Sequence, residues 1–296
     1  MFNKEKSVEV IINAEKCTKC GICSQICPGE YLIQVNSKIT ANSDSMLGCI
    51  QCGHCMMACP NKAIEIKGES ISEEHLVEFA DKKADYDSLY SLLIQRRSTR
   101  KFKQEPVIQE DIDKIITAAA TGAIGITPHE VKIIVINGTE KVQNFADDLI
   151  NSLEKMSKTI KPFVLKLLKP FIGATNYKLF KEFVMPLINE TIKQRKKGSD
   201  ILFYNAPAVV LFYATAICDK EDAIIASTLA VTAAAALNLG TCVIGTVPPS
   251  MNKNPKLKAK YGIAKDENIA TAFILGHPDT KFYRSITRDF KDVKSY

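Results

Sequence analysis

Eight cysteines within the first 60 residues, arranged as two copies of one spacing, constrain this 296-residue chain more than any other feature. The first copy, C-T-K-C-G-I-C-S-Q-I-C-P, supplies Cys17, Cys20, Cys23 and Cys27 before Pro28; the second, C-I-Q-C-G-H-C-M-M-A-C-P, supplies Cys49, Cys52, Cys55 and Cys59 before Pro60. Each reads C-x2-C-x2-C-x3-C-P, a spacing in which three thiolates wrap one corner of a 4Fe–4S cube while the fourth reaches a second cube. The pattern predicts one cluster on Cys17, Cys20, Cys23 and Cys59, and another on Cys49, Cys52, Cys55 and Cys27. A disulfide framework needs an oxidising compartment, and Met1 to Lys6 has neither the basic start nor the apolar core of a secretory signal. Structural zinc takes two separated Cys pairs, leaving no place for a third cysteine in each run.

Gly21 and Gly53 stand between cluster cysteines, where a residue without Cβ lets the backbone wrap the cube at positive φ. His54 shares that loop; with eight thiolates already assigned, it reads as a neighbour of the second cluster that tunes its potential. Val8 to Ile12 and Ala63 to Ile66 read as short strands pairing at the ends of the module. Residues 1–70 thus resemble a two-cluster bacterial-type ferredoxin whose core is largely the clusters themselves, so its folding should depend on metal. From Ser72 to Arg96 the chain turns charged and helical in period, with Ser72 as N-cap and Leu89, Leu92 and Leu93 on one face. Without Pro or a Gly/Ser tract, residues 71–88 read as a stiff helical connector to a second module over 89–296.

That module opens with R-R-S-T-R-K-F, Arg96 to Phe102, directly after an amphipathic helix. Ile112, Ile115, Ile116 and Ala119 mark a further helix, and T-G-A-I-G-I-T-P-H, Thr121 to His129, leads into a strand at Val131 to Ile136. An Ala-rich helix from Asp222 to Leu239 precedes G-T-C-V-I-G-T and a strand at Val243 to Val247. A last strand, Ile269 to Leu275, precedes G-H-P-D-T-K-F-Y-R, Gly276 to Arg284. In this order the chain resembles the nitroreductase family. The resemblance implies FMN, with Arg96 at its phosphate, Ser98 at the ribityl or pyrimidine side, Arg100 near N1 and O2, and Arg97 giving backbone or a second phosphate contact. It implies Ile244, Gly245 and Thr246 as backbone against the ring near N5, and Lys281 and Arg284 returning to the phosphate. Guanidinium suits this because it binds phosphate bidentately and a cation near N1 favours the reduced, anionic ring. Basic residues at a helix C-terminus also complement its dipole without any ligand. In the loop before Val131 the family usually carries Asn and Gln; here Gly125 and Thr127 occupy those positions, reshaping the pocket over the flavin. Thr127 and His129 are candidate proton donors, the chemistry itself residing at flavin N5. Cys218 and Cys242 read as inert buried thiols.

The expected fold is α+β: the ferredoxin-like two-cluster module joined to a nitroreductase-like α/β sandwich with a central, mostly antiparallel sheet. A helical, Lys-rich insertion at about 139–200 exceeds what a plain connection needs. Three uses fit it: covering the flavin, presenting a basic face to an acidic electron donor, or resting on anionic lipid. The net charge of +6 is modest and its lysines form no nucleic-acid motif. No apolar run is long enough for a membrane span, so a cytoplasmic chain is expected. The implied activity passes electrons from a donor (reduced ferredoxin, flavodoxin or NAD(P)H) through the clusters and FMN to a small electron-poor acceptor, a nitroaromatic, quinone or activated enone. No G-x-G-x-x-G fingerprint is present, and the resemblance implies a homodimer. A carrier or redox sensor that binds flavin without turnover is the competing reading.

Overall fold

The computed structural model describes residues 8–68, 71–123, 125 and 130–295. Contacts divide the chain into two compact units, Met1–Lys83 with Ile124–Glu130, and Ala84–Ala123 with Val131–Tyr296. The first unit runs β1 (Glu9–Ile12), α1 (Ile22–Gln25), β2 (Leu32–Val35), β3 (Lys38–Ala41), α2 (His54–Met57) and β4 (Ile64–Lys67). Antiparallel pairing of β1 with β4 closes the ends of the module, as the sequence predicts. β2 and β3 form a hairpin whose turn residues, Asn36 and Ser37, have φ of 48° and 60°. Two consecutive left-handed residues match the twist of the flanking strands.

The cysteine repeat is also a backbone repeat. Lys19 and Gln51 (φ 60° and 58°), Gly21 and Gly53 (78° and 72°), and Glu30 and Lys62 (51° and 48°) are left-handed in pairs, each pair at the separation of Cys17 from Cys49. Gly21 and Gly53 are the N-caps of α1 and α2, so each half turns sharply and then exposes one helical turn. Little apolar material supports this: Leu32, Ile39 and Ile64 are buried together, packed against Val10, Ile12 and four cysteines.

The second unit runs α3 (Tyr86–Gln95), α4 (Gln109–Ala119), β5 (Val131–Asn137), α5 (Thr139–Thr159), α6 (Pro162–Leu179), a π turn (Phe180–Val184), α7 (Met185–Lys196), β6 (Ala208–Ala214), α8 (Lys220–Ala236), β7 (Gly240–Val243), α9 (Val247–Asn252), α10 (Pro255–Lys260) and β8 (Asn268–Gly276). Its sheet, ordered β5-β6-β8-β7, is antiparallel throughout. β6 is buried along its whole length, and the two-residue period of a strand divides it between two cores. Val209, Leu211 and Tyr213 face one core with Phe145 and Leu149 of α5; Ala208, Val210, Phe212 and Ala214 face another with Ile112 and Ile115 of α4. In that second core Ala223, Ala226, Ala230 and Ala234 form the small-residue stripe by which α8 approaches the sheet and α4.

Two expectations are corrected. The connector is not one helix: a single 3₁₀ turn, Glu73–His75, closes on a capping box in which the Ser72 N–H donates to His75 Nδ1 at 3.0 Å. Helix resumes only at α3, where the Asp85 side chain accepts from the Ser88 N–H at 2.7 Å. Between them, Glu78 to Ala84 has one large apolar residue, Phe79, and it is fully exposed, so no helical stripe exists to bury. The strand expected at Val243 to Val247 lies earlier, at Gly240–Val243, because Pro248 and Pro249 suit the first turn of α9 and not a sheet.

At the end of β8, a Cβ on Gly276 would stand 2.6 Å from Pro207 Cδ and 3.0 Å from Phe102 Cδ1. Neither ring end can swing away, so Gly276→Ala is expected to cost ~1–3 kcal/mol of overpacking. Denaturant titration of the variant beside the parent protein measures it.

Candidate functional site

In the first unit the eight cysteines separate into two sets around two cavities. One is lined by Cys17, Cys20, Cys23 and Cys59, with Gly21, Ile12 and Ile64. The other is lined by Cys27, Cys49, Cys52 and Cys55, with Gly53, His54 and Ile66. Both measure about 390 Å³, solvent at their mouths included, as two sites for the same group should. The last cysteine of each run thus crosses to the other set, since the turn after α1 sends Cys27 toward the second loop and that after α2 sends Cys59 toward the first. His54 lines the second cavity, as the neighbour that its loop position predicts.

None of the ten cysteines is in a disulfide. Burial, and after it the nearness of Cys59 and Cys17, raises the Cys23 thiol; burial, and then Cys52 and Cys27, raises Cys49; burial together with Cys49, Cys52 and Cys27 pushes Cys55 up to about 12. Four thiolates so placed repel one another in a poorly solvated space. A compact cationic group at their centre reverses that balance and holds them deprotonated, which is what iron in a cubane supplies. The residues present fit such a group. The Ala63 N–H also donates to Cys59 Sγ at 3.2 Å, a contact of the kind that tunes a cluster's potential.

In the second unit the segment after α3 is stitched to the sheet from both sides. Ser98 bridges Thr241 and the Thr99 N–H donates to the Thr241 carbonyl at 2.8 Å; Phe102 bridges Pro278, the Lys103 N–H donates to the His277 carbonyl, and the Asp279 N–H donates to the Lys101 carbonyl, both at 2.9 Å. Ser285 Oγ returns to the carbonyl of Ile94. This lattice gathers residues far apart in sequence around a cleft of about 1960 Å³, including the solvent at its mouth. Arg96, Arg97, Lys281 and Arg284 line it, together with Asn238, Leu239 and Gly240. After the C-cap of α8, Asn238 takes the left-handed conformation (φ 59°), and Gly240 admits Thr99, whose Oγ1 would stand 2.5 Å from a Cβ there.

An adjoining cavity is lined by Arg96, Arg97, Ser98, Arg100, Phe282 and Arg288. Arg288 is a site residue that the sequence reading missed; the signal was its continuation of the basic spacing of Lys281 and Arg284. The Arg100 guanidinium lies 6.0 Å over the ring of Tyr204. The one carboxylate lining the larger cleft, Asp279, pairs with Lys101 at 3.0 Å, so the basic groups retain their charge for an anion. Ile244, Gly245 and Thr246 line neither cavity but follow β7, whose first residue lines the larger cleft. At 3.3 Å per residue Ile244 lies about 13 Å along from Gly240. The Ile244 N–H is engaged by the Ala272 carbonyl at 2.8 Å and so is not available to a ligand. Thr246 Oγ1 is buried without a hydrogen-bond partner, an orphan that a bound polar ligand would satisfy. Gly125 is exposed, with open space where a Cβ would stand. Thr127 and His129 lie outside the described residues. Cys218 and Cys242 are buried, Cys218 Sγ lying 3.4 Å from Asp222 Oδ2.

Similarity to known proteins follows the same division. The sequence model of the nitroreductase family matches residues 93–277, and that of the 4Fe-4S dicluster domain matches 16–64. The chain belongs to the nitroreductase family and carries an N-terminal two-cluster ferredoxin-like domain. Among solved structures, an FMN-bound nitroreductase from Bacteroides fragilis NCTC 9343 is 14% identical, with a TM-score of 0.52 over 71% of this chain and 98% of that one. An FMN-bound nitroreductase from Desulfitobacterium hafniense DCB-2 is 18% identical (TM-score 0.46, 70% and 97% covered). An FMN-dependent nitroreductase from Clostridium difficile R20291 is 16% identical (TM-score 0.48, 71% and 100% covered). The first of these likenesses is one of fold. No curated protein matches the chain.

The crossed arrangement has a direct check. Cys59→Ser removes a ligand from the set containing Cys17, Cys20 and Cys23, although Cys59 belongs in sequence to the other run. Reconstituted C59S should fall from about eight to about four iron atoms per chain. Its reduced electron paramagnetic resonance spectrum should lose the coupling between two clusters, and Cys27→Ser should give the complementary loss.

Proposed function

We infer that this chain is an oxidoreductase that accepts electrons from an external low-potential donor in its ferredoxin unit and delivers them to a small, electron-poor organic acceptor in its nitroreductase unit. Its cofactors are FMN and two 4Fe–4S clusters. When bound, the clusters supply one-electron transfer and FMN supplies electron or hydride delivery at N5. In this reading residues 1–70 form the ferredoxin domain, 89–296 the reductase, and two chains associate as the family resemblance implies. The observation that carries the proposal is the pairing, on one chain, of two crossed four-cysteine cavities with a cleft whose basic side chains converge from both ends of the reductase sequence.

The chain's own residues divide the binding task. Arg96 and Arg97, with Lys281 and Arg284, are suited to hold a dianionic phosphate through charge-assisted bonds. Ser98 and Arg100 face the adjoining cavity, where Arg100 is suited to a pyrimidine edge and Arg288 adds a further cation. Thr246, with its unpartnered hydroxyl at the N-cap of α9, is suited to the ring. The substrate class, a nitroaromatic, quinone or activated enone, follows from the family's chemistry, because only an acceptor that stabilises added electrons takes them from a flavin. A donor of protein type, reduced ferredoxin or flavodoxin, is favoured by the cluster domain, and NAD(P)H remains compatible with the same cleft.

Anaerobic purification with iron and FMN counts, followed by stopped-flow mixing, tests this. Dithionite or a reduced ferredoxin should bleach the visible spectrum, and a nitroaromatic or quinone should restore it at a catalytic rate. Bleaching that no acceptor reverses identifies a carrier, and absence of FMN overturns the reading. Arg96→Ala and Arg288→Ala each remove a charge-assisted contact of roughly 1.5–3 kcal/mol and should weaken FMN binding about ten- to a hundredfold. Fluorescence titration of the deflavinated protein reads that loss.

A further inference from the structure

α6 and the π turn after it bury almost nothing: of the 18 residues of α6 only Leu165 is buried. This is not a polar helix. Phe163, Leu167 and Phe171 recur every fourth residue along it and are 70%, 58% and 86% exposed. Gly173, with φ 78° and ψ 161°, then kinks the arm. Leu179, Phe183 and Leu187 repeat the interval across the π turn into α7 and are 50%, 60% and 39% exposed. Residues four apart share a helix face, so the arm presents two apolar stripes to solvent. Lys161, Lys166, Lys169, Lys178 and Lys181 flank them, all exposed, against a single acid, Glu182.

We propose that this arm is an interfacial anchor that lies on an anionic lipid surface, Phe163, Phe171 and Phe183 entering the boundary between headgroups and acyl chains while the lysines meet the phosphates. Exposed Phe and Leu rows bordered by lysine are what such a surface selects, apolar burial and charge attraction acting together. The arm lies along the bilayer, since among the described residues no helix is long and apolar enough to cross one. A second copy of the same face is disfavoured, because a two-fold contact brings together two arms that each carry five lysines against one acid. An acidic protein would answer the lysines and leave the phenylalanine rows without a counterpart. Nor is the arm a lid on the basic cleft: the residues lining both cavities come from 92–100, 235–240 and 278–288.

The test uses the full-length, cofactor-loaded protein and sedimented vesicles of phosphatidylcholine with or without phosphatidylglycerol. The parent chain should sediment with the anionic vesicles, remain in solution with the neutral ones, and be released by high salt. Phe163→Ser with Phe171→Ser should abolish sedimentation. Lys166→Gln and Lys169→Gln should each weaken it about fivefold. Because these side chains are exposed, the variants should keep the parent's visible absorption and circular dichroism. Failure to bind anionic vesicles, or binding unchanged in the double serine variant, overturns the proposal. So does sedimentation velocity in which that variant converts a dimer to a monomer, since the face is then a self-interface, and so does loss of a complex with an acidic electron-donor protein while vesicle binding is unaltered.

Discussion

Bringing four thiolates into one poorly solvated space is unfavourable unless a cation stands among them, and the first unit is organised around that requirement. Its apolar core is small: Leu32, Ile39 and Ile64 pack against the cysteines themselves, and Met56, Ala63 and Ile66 are the other apolar residues buried in it. The left-handed pairs at Lys19 and Gln51, Gly21 and Gly53, and Glu30 and Lys62 are the backbone's answer, since a chain that passes around a cube needs sharp turns at fixed points. A metal held by both sets would tie the halves together through the crossing of Cys27 and Cys59, and its binding is expected to be coupled to folding in this unit.

The second unit solves the opposite problem. It has ample apolar surface, and its fully buried β6 is covered by helices on both faces. What it must create is a polar cleft rich in positive charge, which no compact core would choose. It does so at the sheet's margin, where Ser98 and Phe102 add isolated bridges to Thr241 and Pro278. Backbone hydrogen bonds pay for the position of side chains that would otherwise repel. The glycines at 240 and 276 matter for the same reason, letting Thr99 and Pro207 approach where a Cβ would hold them off.

The strands at Val131–Asn137 and Asn268–Gly276 were legible, because they are apolar runs with β-branched residues bounded by turn formers. The connector was misread because helical propensity without a stripe to bury does not make a helix in a protein. The strand after Gly240 was shifted because its apolar residues continue past the point where prolines begin a new helix. Arg288 was missed because the basic spacing of Lys281 and Arg284, which it continues, does not by itself separate a site residue from the other charges of an exposed tail; the return of that tail past α3 gives it a role.

Cysteine spacing by itself pointed to two cubane clusters and to the division of the eight cysteines that the two cavities repeat, because ligation by short local runs is encoded in sequence intervals. The order of motifs likewise determined the family. Tertiary structure alone decided that Arg288 joins Arg96, Arg97, Lys281 and Arg284 around neighbouring cavities, that Ile244 has no N–H to offer while Thr246 keeps an unpartnered hydroxyl, and that the lysine-rich arm carries its phenylalanines outward. The physical reason is that these features depend on which groups are left over after the sheet, the caps and the cores have taken their partners, and that remainder exists only in the folded chain.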